Sequence, residues 1–212
     1  MKCVPYTKET LKQAIQILKD GGVIAHPADT CFGLAADLKN PDALKHLQEI
    51  KGRDMGKPMS IMLPAFMKPE IVRFAELDEF SKSICKKLLP GPVTILLPKG
   101  PEIPDYFFPE SSNIGIRMPY DMLTEDILMS FKGPLITTSA NLSDGPACST
   151  CDEVNEIFKD KKNKPDLIFQ GTIRNACIPS TVILVKDGKV KITREGPMNK
   201  KQLEGILGVK IP

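Results

Sequence analysis

The stretch NPDALKHLQEIKGRDMGKPMSIML, residues 40–63, contains a helix followed by a strand, and this pairing indicates the fold class. Asn40 followed by Pro41 is typical of a helix start, because asparagine caps the first turn and proline fits its first position. Apolar residues then recur at helical spacing and would form one buried face: Leu44, Leu47 and Ile50. Gly52 is expected to end the helix, and the apolar run at 60–63 predicts a strand.

The same alternation of helices and strands continues along the chain. Helices are predicted to follow Thr7 up to Gly21-Gly22, to precede Pro90-Gly91, to begin near Asp121, and to cover 150–158 and 200–207. Strands are predicted at 23–25, 93–97, 114–118, 167–169, 182–185 and 190–193, with a further strand before the TTSAN segment. Asp187-Gly188 predicts a hairpin between the last two strands. We expect one α/β domain, residues 1–212, with a mixed sheet covered by helices, and an exposed loop at 98–109.

Composition limits the classes of protein that fit. Apolar residues make up 42%, and the net charge of +3 is only mildly basic. An anionic ligand is therefore compatible, whereas the lack of Trp and the presence of only 3 Tyr leave little material for stacking nucleic-acid bases. The N-terminal residues lack the apolar core of a signal peptide, and no run approaches a membrane span. We expect a cytoplasmic protein whose 6 cysteines are thiols.

A pair of cations at the end of the first quoted helix is the first candidate for chemistry. Lys51 and Arg53 flank Gly52, and residues two apart on extended chain share a face. A lysine point charge and an arginine fork together suit a polyphosphate. A solvated helix end, where cations complement the helix dipole, explains the same pattern. The pair alone does not decide between these readings.

Polar residues at other strand ends give the pair possible companions. TTSAN at 137–141 places hydroxyls and an amide just past a strand, although a turn with a helix cap has the same composition. Arg117 lies at the end of another predicted strand, where a bidentate carboxylate clamp is plausible. Ser180, Thr181 and Arg194 lie at the margins of the last strands.

Taken in order, these motifs resemble the threonylcarbamoyl-AMP synthase family, whose domain is known as YrdC or Sua5. PADTCFGL at 27–34 resembles the family's PTDTVYGL motif, and Lys51 with Arg53 matches its K-x-R signature. Further matches are Lys57-Pro58, PGPVT at 90–94, GIRMP at 115–119, SAN at 139–141, STV at 180–182 and ITREG at 192–196. The resemblance covers nearly the whole chain, and it implies a YrdC-like twisted sheet of parallel and antiparallel strands with a concave basic cleft.

The resemblance also implies an activity. Members of the family condense L-threonine, bicarbonate or CO2, and ATP into threonylcarbamoyl-AMP and pyrophosphate, for N6-threonylcarbamoyladenosine formation in tRNA. It assigns the catalytic role to Lys51 and Arg53, which would neutralise the triphosphate. ATP binding is assigned to Lys51, Arg53, Asn113, Ser139, Asn141 and Arg194. Threonine binding is assigned to Thr30, Arg117, Thr137 and Ser180.

Cofactor and partners follow from the same resemblance. Mg2+ would accompany ATP, held mostly by phosphate oxygens and water rather than by a protein site. The product would pass to a tRNA threonylcarbamoyl transferase complex, with weak RNA binding as a further possibility and no membrane partner. The chain ends at Pro212, so we expect the short form, without the additional C-terminal domain of longer Sua5 proteins.

The chain departs from the family pattern at positions that bear on the amino-acid substrate. Ala28 replaces a threonine, Cys31-Phe32 replaces Val-Tyr, and Pro179 replaces a common acidic residue. Each change removes a polar group. A YrdC-like paralogue that uses another amino acid or carbamoyl substrate, or that binds RNA, therefore remains an alternative, and RNA binding would weaken steeply with salt.

Two further features are interpreted as structural. Cys148 and Cys151 form a C-x-x-C, but the sequence offers no second pair at matching spacing, so we predict no metal site. His26 is interpreted as a packed or surface histidine rather than a catalyst.

Overall fold

The fold is described from a computed structural model that covers residues 3–52, 59–143, 145–173 and 177–212. In this part of the chain ten strands form one sheet, in the order β1-β8-β2-β3-β7-β4-β6-β5-β9-β10. Their bounds are β1 Cys3–Val4, β2 Ile24–His26, β3 Gly33–Asp37, β4 Ser60–Met62, β5 Val93–Pro98, β6 Asn113–Arg117, β7 Leu135–Ser139, β8 Leu167–Phe169, β9 Thr181–Lys186 and β10 Lys189–Arg194. The pairs β1-β8, β2-β8, β4-β6 and β5-β9 are parallel and the others are antiparallel, so the predicted mixed sheet is confirmed.

Four of the described α-helices begin after the residue that the sequence indicated as their start: Thr7, Asn40, Asp121 and Thr150. The described α-helices are α1 Lys8–Lys19, α2 Pro41–Lys51, α3 Glu79–Leu88, α4 Met122–Phe131, α5 Cys151–Phe158 and α6 Lys200–Leu207. Asn40 Oδ1 accepts from the backbone N–H groups of Asp42 and Ala43, and Gly52 ends α2 in the left-handed conformation with φ 58°. Among the described residues, we find no helix with both the length and the apolar character needed to cross a lipid bilayer.

On one face of the sheet the side chains change from apolar to polar along the strands, and the candidate site lies where they are polar. Helices α1 and α4 cover the end of this face that carries Leu135 and Ala35, which pack in one apolar cluster with Ile127 and Leu128. Because side chains alternate along a strand, Thr137 and Ser139 lie on the same face as Leu135. The sequence LITTS therefore changes from apolar to hydroxyl residues just where the helical cover ends. The opposite face supports the larger core, which includes apolar residues of α2, α3, α5 and α6.

Some local predictions were wrong. The segment at 98–109 was predicted to be an exposed loop, but Ile103, Phe107 and Phe108 are buried in the larger core, where two aromatic rings pack edge to face. The strands β1 and β3 and a 3-10 helix at Ala65–Arg73 were not predicted. Strand β3 reads GLAAD, whose small residues carry little of the β-branched signal of strands.

Two glycines next to the site allow close contacts that a side chain would prevent. A Cβ at Gly115, the middle of β6, would lie 2.4 Å from Ser60 Oγ, so glycine allows β4 and β6 to approach there. A Cβ at Gly196 would lie 2.3 Å from the backbone nitrogen of Thr181. This contact keeps the segment after Arg194 tight against the start of β9.

Candidate active site

A cavity of about 160 Å³ opens on the sheet face where the cover of α1 and α4 ends. Its lining includes these residues assigned from the sequence: Thr30, Arg117, Thr137, Ser139, Ser180 and Arg194. They come from the loop after β2, the ends of β6 and β7, the start of β9 and the end of β10. Residues far apart in sequence therefore meet in one hollow, and the assigned residues alone contribute two guanidinium groups and four hydroxyl groups to its lining.

Arg117 is held in the cavity by an acidic partner that the sequence analysis missed. Its Nη2 forms an ion pair with Asp29 Oδ1 and donates to Thr30 Oγ1 at 2.7 Å. Both ion-pair side chains are only 9% exposed. Burial raises the pKa of Asp29, although the charge of Arg117 and the Tyr120 N–H, which donates to Asp29, oppose the shift. Asp29 could have been found from its place beside Thr30 in the PADT segment.

Arg194 and Ser180 form the opposite side of the cavity. Arg194 Nε and Nη2 donate to the carbonyl oxygen of Ser180 at 3.1 and 2.9 Å, and Nη2 also contacts Ser180 Oγ at 3.1 Å. Thr94 Oγ1 lies 2.7 Å from Ser180 Oγ. These contacts fix the Ser180 hydroxyl toward the cavity. Thr94, which also lines the cavity, was not assigned a role from the sequence.

Lys51 lies behind the cavity rather than in its lining. The residue is 2% exposed, and its Nζ donates to the carbonyl oxygens of Ser139 and Asn141 at 2.8 and 2.6 Å and to Asn141 Oδ1 at 2.8 Å. Ser139 Oγ donates to the same amide oxygen at 2.5 Å. The helix-end lysine therefore fixes the loop after β7, and with it two of the residues assigned to ATP.

Asn113 and Arg53 are the other residues assigned to ATP. Asn113 begins β6 and shares a face with Arg117 because they are four residues apart, but it lies outside the cavity lining. Arg53, the second cation of the K-x-R signature, falls at 53–58, outside the described residues, as does Lys57-Pro58.

The departures from the family pattern divide into two groups. Ala28, Cys31 and Pro179 line the cavity, so these changes alter its polar surface. Phe32 is fully buried in the larger core. Phe32, which stands where the family pattern has tyrosine, is therefore not part of the cavity lining.

His26 is buried beneath this region, in agreement with its interpretation as a packed histidine. Its Nδ1 lies 3.0 Å from the carbonyl oxygen of Pro27 and 3.2 Å from Thr124 Oγ1. A carbonyl oxygen only accepts, so Nδ1 carries the hydrogen of the neutral ring. Nε2 has no hydrogen-bond partner among the described residues. Burial lowers the pKa of His26 and keeps the ring neutral.

This burial predicts an acid-dependent loss of stability. An unfolded histidine binds a proton below a pKa of about 6.5, whereas folded His26 binds one only at lower pH. The neutral, buried ring therefore contributes to the free energy of unfolding above pH 6.5, and this contribution is lost as the pH falls. We expect the free energy of unfolding to fall by up to about 1.4 kcal/mol for each pH unit below that point. Urea unfolding between pH 7.5 and 5.5 measures it. His26→Phe should flatten the dependence, whereas His46→Gln, which changes a half-buried histidine beside Asp166, should keep it; equal slopes in all three proteins would contradict the assignment.

Comparisons with known proteins identify the family. The model of the Sua5/YciO/YrdC family, described as "Telomere recombination", matches residues 16–196. The chain belongs to this family. It is 33% identical to a putative threonylcarbamoyl-AMP synthase of Methanocaldococcus jannaschii, covering 92% of each chain. It is 31% identical to the human threonylcarbamoyl-AMP synthase, covering 89% of this chain and 67% of that protein.

A solved structure supports the same architecture. The chain resembles Pyrococcus abyssi Sua5 complexed with L-threonine, with a TM-score of 0.89 and 24% identity. The match covers 100% of this chain but 63% of the P. abyssi protein, so this chain spans less than two thirds of that relative's length. At this identity the likeness shows the fold, and it confirms the YrdC-like sheet predicted from the sequence.

Proposed function

We propose that this chain is an L-threonylcarbamoyl-AMP synthase that condenses L-threonine, bicarbonate or CO2, and ATP, and releases pyrophosphate. The observation that carries this proposal is the meeting of Arg117 and Arg194 in one cavity lined with hydroxyl groups. The names of its M. jannaschii and human relatives support the proposal, as does the complex of P. abyssi Sua5 with L-threonine.

The amino acid is placed at the Arg117 side of the cavity. The Arg117 guanidinium would bind the threonine carboxylate, while its ion pair with Asp29 holds the guanidinium in place. The other residues assigned to threonine are Thr30, Thr137 and Ser180, and their hydroxyl groups would contact the polar atoms of the amino acid. Bidentate arginine–carboxylate pairing fixes orientation as well as charge.

The nucleotide is placed beside Ser139 and Arg194. Lys51 would act by fixing Ser139 and Asn141 and by supplying positive charge, with Arg53 and Asn113 as further ATP contacts. The carbamate of threonine is already an anionic oxygen nucleophile, so its attack on the α-phosphorus needs alignment and charge neutralisation more than a base. The oxygen–phosphorus bond forms as the bond to pyrophosphate breaks.

Mg2+ would be held at this site through ATP rather than by protein side chains, as expected from the sequence. Among the described residues, the cavity lining contains no carboxylate, so the ion would be held by phosphate oxygens and water rather than by the protein. When bound with ATP, Mg2+ would neutralise part of the phosphate charge.

The wider assignments belong to the same proposal. Residues 1–212 would act as one domain in the cytoplasm, and the product would be consumed by an enzyme that transfers the threonylcarbamoyl group to tRNA. Affinity for RNA would be weak and sensitive to salt.

Pyrophosphate release tests the proposed activity. With ATP, Mg2+ and bicarbonate, we expect release that depends on threonine, with serine as the comparison because Ala28 and Pro179 alter the cavity. Omitting the amino acid or bicarbonate should reduce release to background. Release that ignores the amino acid would overturn the proposal, and the adenylate itself should be identified by mass spectrometry.

A further inference from the structure

The two cysteines of the C-x-x-C have different neighbours in the structure. The carbonyl oxygen of Cys148 accepts from Cys177 Sγ at 3.1 Å and from the N–H of Phe32 at 3.0 Å, and Phe32 follows Cys31, which lines the cavity. Cys151 instead lies next to Cys3, from the first strand. The cysteine next to Cys151 therefore comes from the N-terminal strand β1, which lies at the sheet edge beside β8.

Cys3, Cys151 and Asp152 bring three metal-binding side chains together. The two sulfur atoms and a carboxylate oxygen all lie within 4.8 Å of one another, and Cys151 Sγ is 3.9 Å from Asp152 Oδ1. Strand β1 carries Cys3 and pairs with β8, while the first turn of α5 carries the other two residues. The fold, rather than a local motif, creates this cluster.

The chemistry of the cluster favours a cation. The carboxylate of Asp152 and the two sulfur atoms lie within 4.8 Å of one another. A divalent ion binds such thiols in their deprotonated form and compensates the charge of the carboxylate.

We propose that Cys3, Cys151 and Asp152 bind a thiophilic divalent cation of the zinc class. Zinc binds thiolate sulfur at about 2.3 Å and carboxylate oxygen at about 2.0–2.2 Å, which places tetrahedral ligands roughly 3.5–3.8 Å apart. The observed 3.9 Å between Cys151 and Asp152 needs only a small adjustment. Two thiolate ligands select against Mg2+ and Ca2+, which prefer oxygen. Binding would release two thiol protons, and water would complete the coordination at the exposed side of Asp152.

The ion would connect a short edge strand to a helix. Strand β1 has 2 residues and lies at the end of the sheet, so few backbone hydrogen bonds hold it. A metal bond to α5 would fix β1. The segment before α5 contacts the chain next to the cavity, because the Phe32 N–H donates to the Cys148 carbonyl at 3.0 Å and Phe32 follows Cys31, which lines the cavity. The site would therefore stabilise the wall of the cavity without contacting a substrate.

Metal titration of the full chain tests this inference without any substrate, so its outcome is separate from that of the proposed function. Protein freed of metal by chelation and kept reduced is titrated with Co2+, followed by competition with Zn2+. We expect one equivalent to bind with sulfur-to-cobalt charge-transfer absorption. Cys3→Ser and Cys151→Ser should each weaken binding at least 10-fold, and Asp152→Asn should weaken it while both thiols remain.

Controls separate this cluster from the other thiols. Cys177→Ser, which changes a half-buried thiol near Cys148, should leave the Co2+ affinity and spectrum unchanged. Zn2+ at about 100 times its Kd should raise the Tm of the unaltered chain by roughly 5 °C, and should not raise that of Cys3→Ser. The inference is overturned by an absent charge-transfer band, by unchanged affinity in Cys3→Ser, or by loss of binding in Cys177→Ser.

Discussion

Arg117→Ala is expected to lower kcat/KM for threonine by roughly 100-fold or more, because removing one partner of a buried charge pair costs about 2–5 kcal/mol. In this chain the guanidinium would lose its contact with the substrate carboxylate, and Asp29 would be left buried without its cation. Steady-state pyrophosphate release over a range of threonine concentrations measures the effect. The KM for threonine should rise, while the KM for ATP should change little.

Two matched variants separate recognition from folding. Arg117→Lys keeps a cation beside Asp29 but loses the planar fork, so the protein should fold and still bind threonine poorly. Arg73→Ala removes an exposed arginine that also pairs with carboxylates, Glu70 and Glu102, and should leave kinetics unchanged. Equal increases of the KM for threonine and for ATP in Arg117→Lys would remove the carboxylate role.

Asp29 provides a second check on the same pair. Asp29→Asn keeps the shape of the side chain but removes the charge that holds Arg117 from behind. Since Asp29 is absent from the cavity lining, we treat it as a positioning residue. Its loss should raise the KM for threonine less than Arg117→Ala does. An effect on kcat alone would contradict a positioning role.

Local signals in the sequence were sufficient for the helices. Asn40, Thr7, Thr150 and Asp121 each cap the predicted helix, and the hairpin at Asp187-Gly188 has both residues at positive φ. These features depend on side chains that bond to backbone only a few residues away. A single sequence displays such short-range chemistry directly.

Strand neighbours and ion pairs are set by contacts over long distances in sequence, which explains what was missed. The sequence shows Arg117 at a strand end, but it does not show that Asp29, 88 residues earlier, approaches it. Similarly, Cys151 appeared to belong with Cys148 because they are near in sequence, although β1 brings Cys3 to it. The buried Phe107 and Phe108 were misassigned because prolines around them suggested a loop, and packing decides exposure.

The role of Lys51 changed most between sequence and structure. From the resemblance, Lys51 is predicted to neutralise the triphosphate of ATP. The structure instead shows a buried ammonium that donates to three oxygens of Ser139 and Asn141. The proposed role of Lys51 in ATP binding would therefore be combined with a structural role in one side chain.

Lys51→Met is accordingly expected to affect both stability and ATP use. Without the ammonium group of Lys51, the buried oxygens of Ser139 and Asn141 lose a charged hydrogen-bond donor. We therefore expect the free energy of unfolding to fall by about 3 kcal/mol. In the fraction that remains folded at low temperature, the KM for ATP should rise by roughly 100-fold or more, since the loop carrying Ser139 and Asn141 loses its anchor. Urea unfolding and ATP-dependent pyrophosphate release measure the two effects.

Lys45→Met is the matched control, because Lys45 lies on the same helix with an exposed side chain. It should change neither stability nor KM for ATP. Lys51→Arg keeps the charge, but a planar guanidinium cannot reproduce the compact arrangement of three donors around one nitrogen, so ATP use should recover only in part. If folded Lys51→Met keeps its ATP dependence, the lysine serves the fold alone. The phosphate-binding charge must then come from other residues, and among those assigned to ATP, Arg194 is the cation that lines the described cavity.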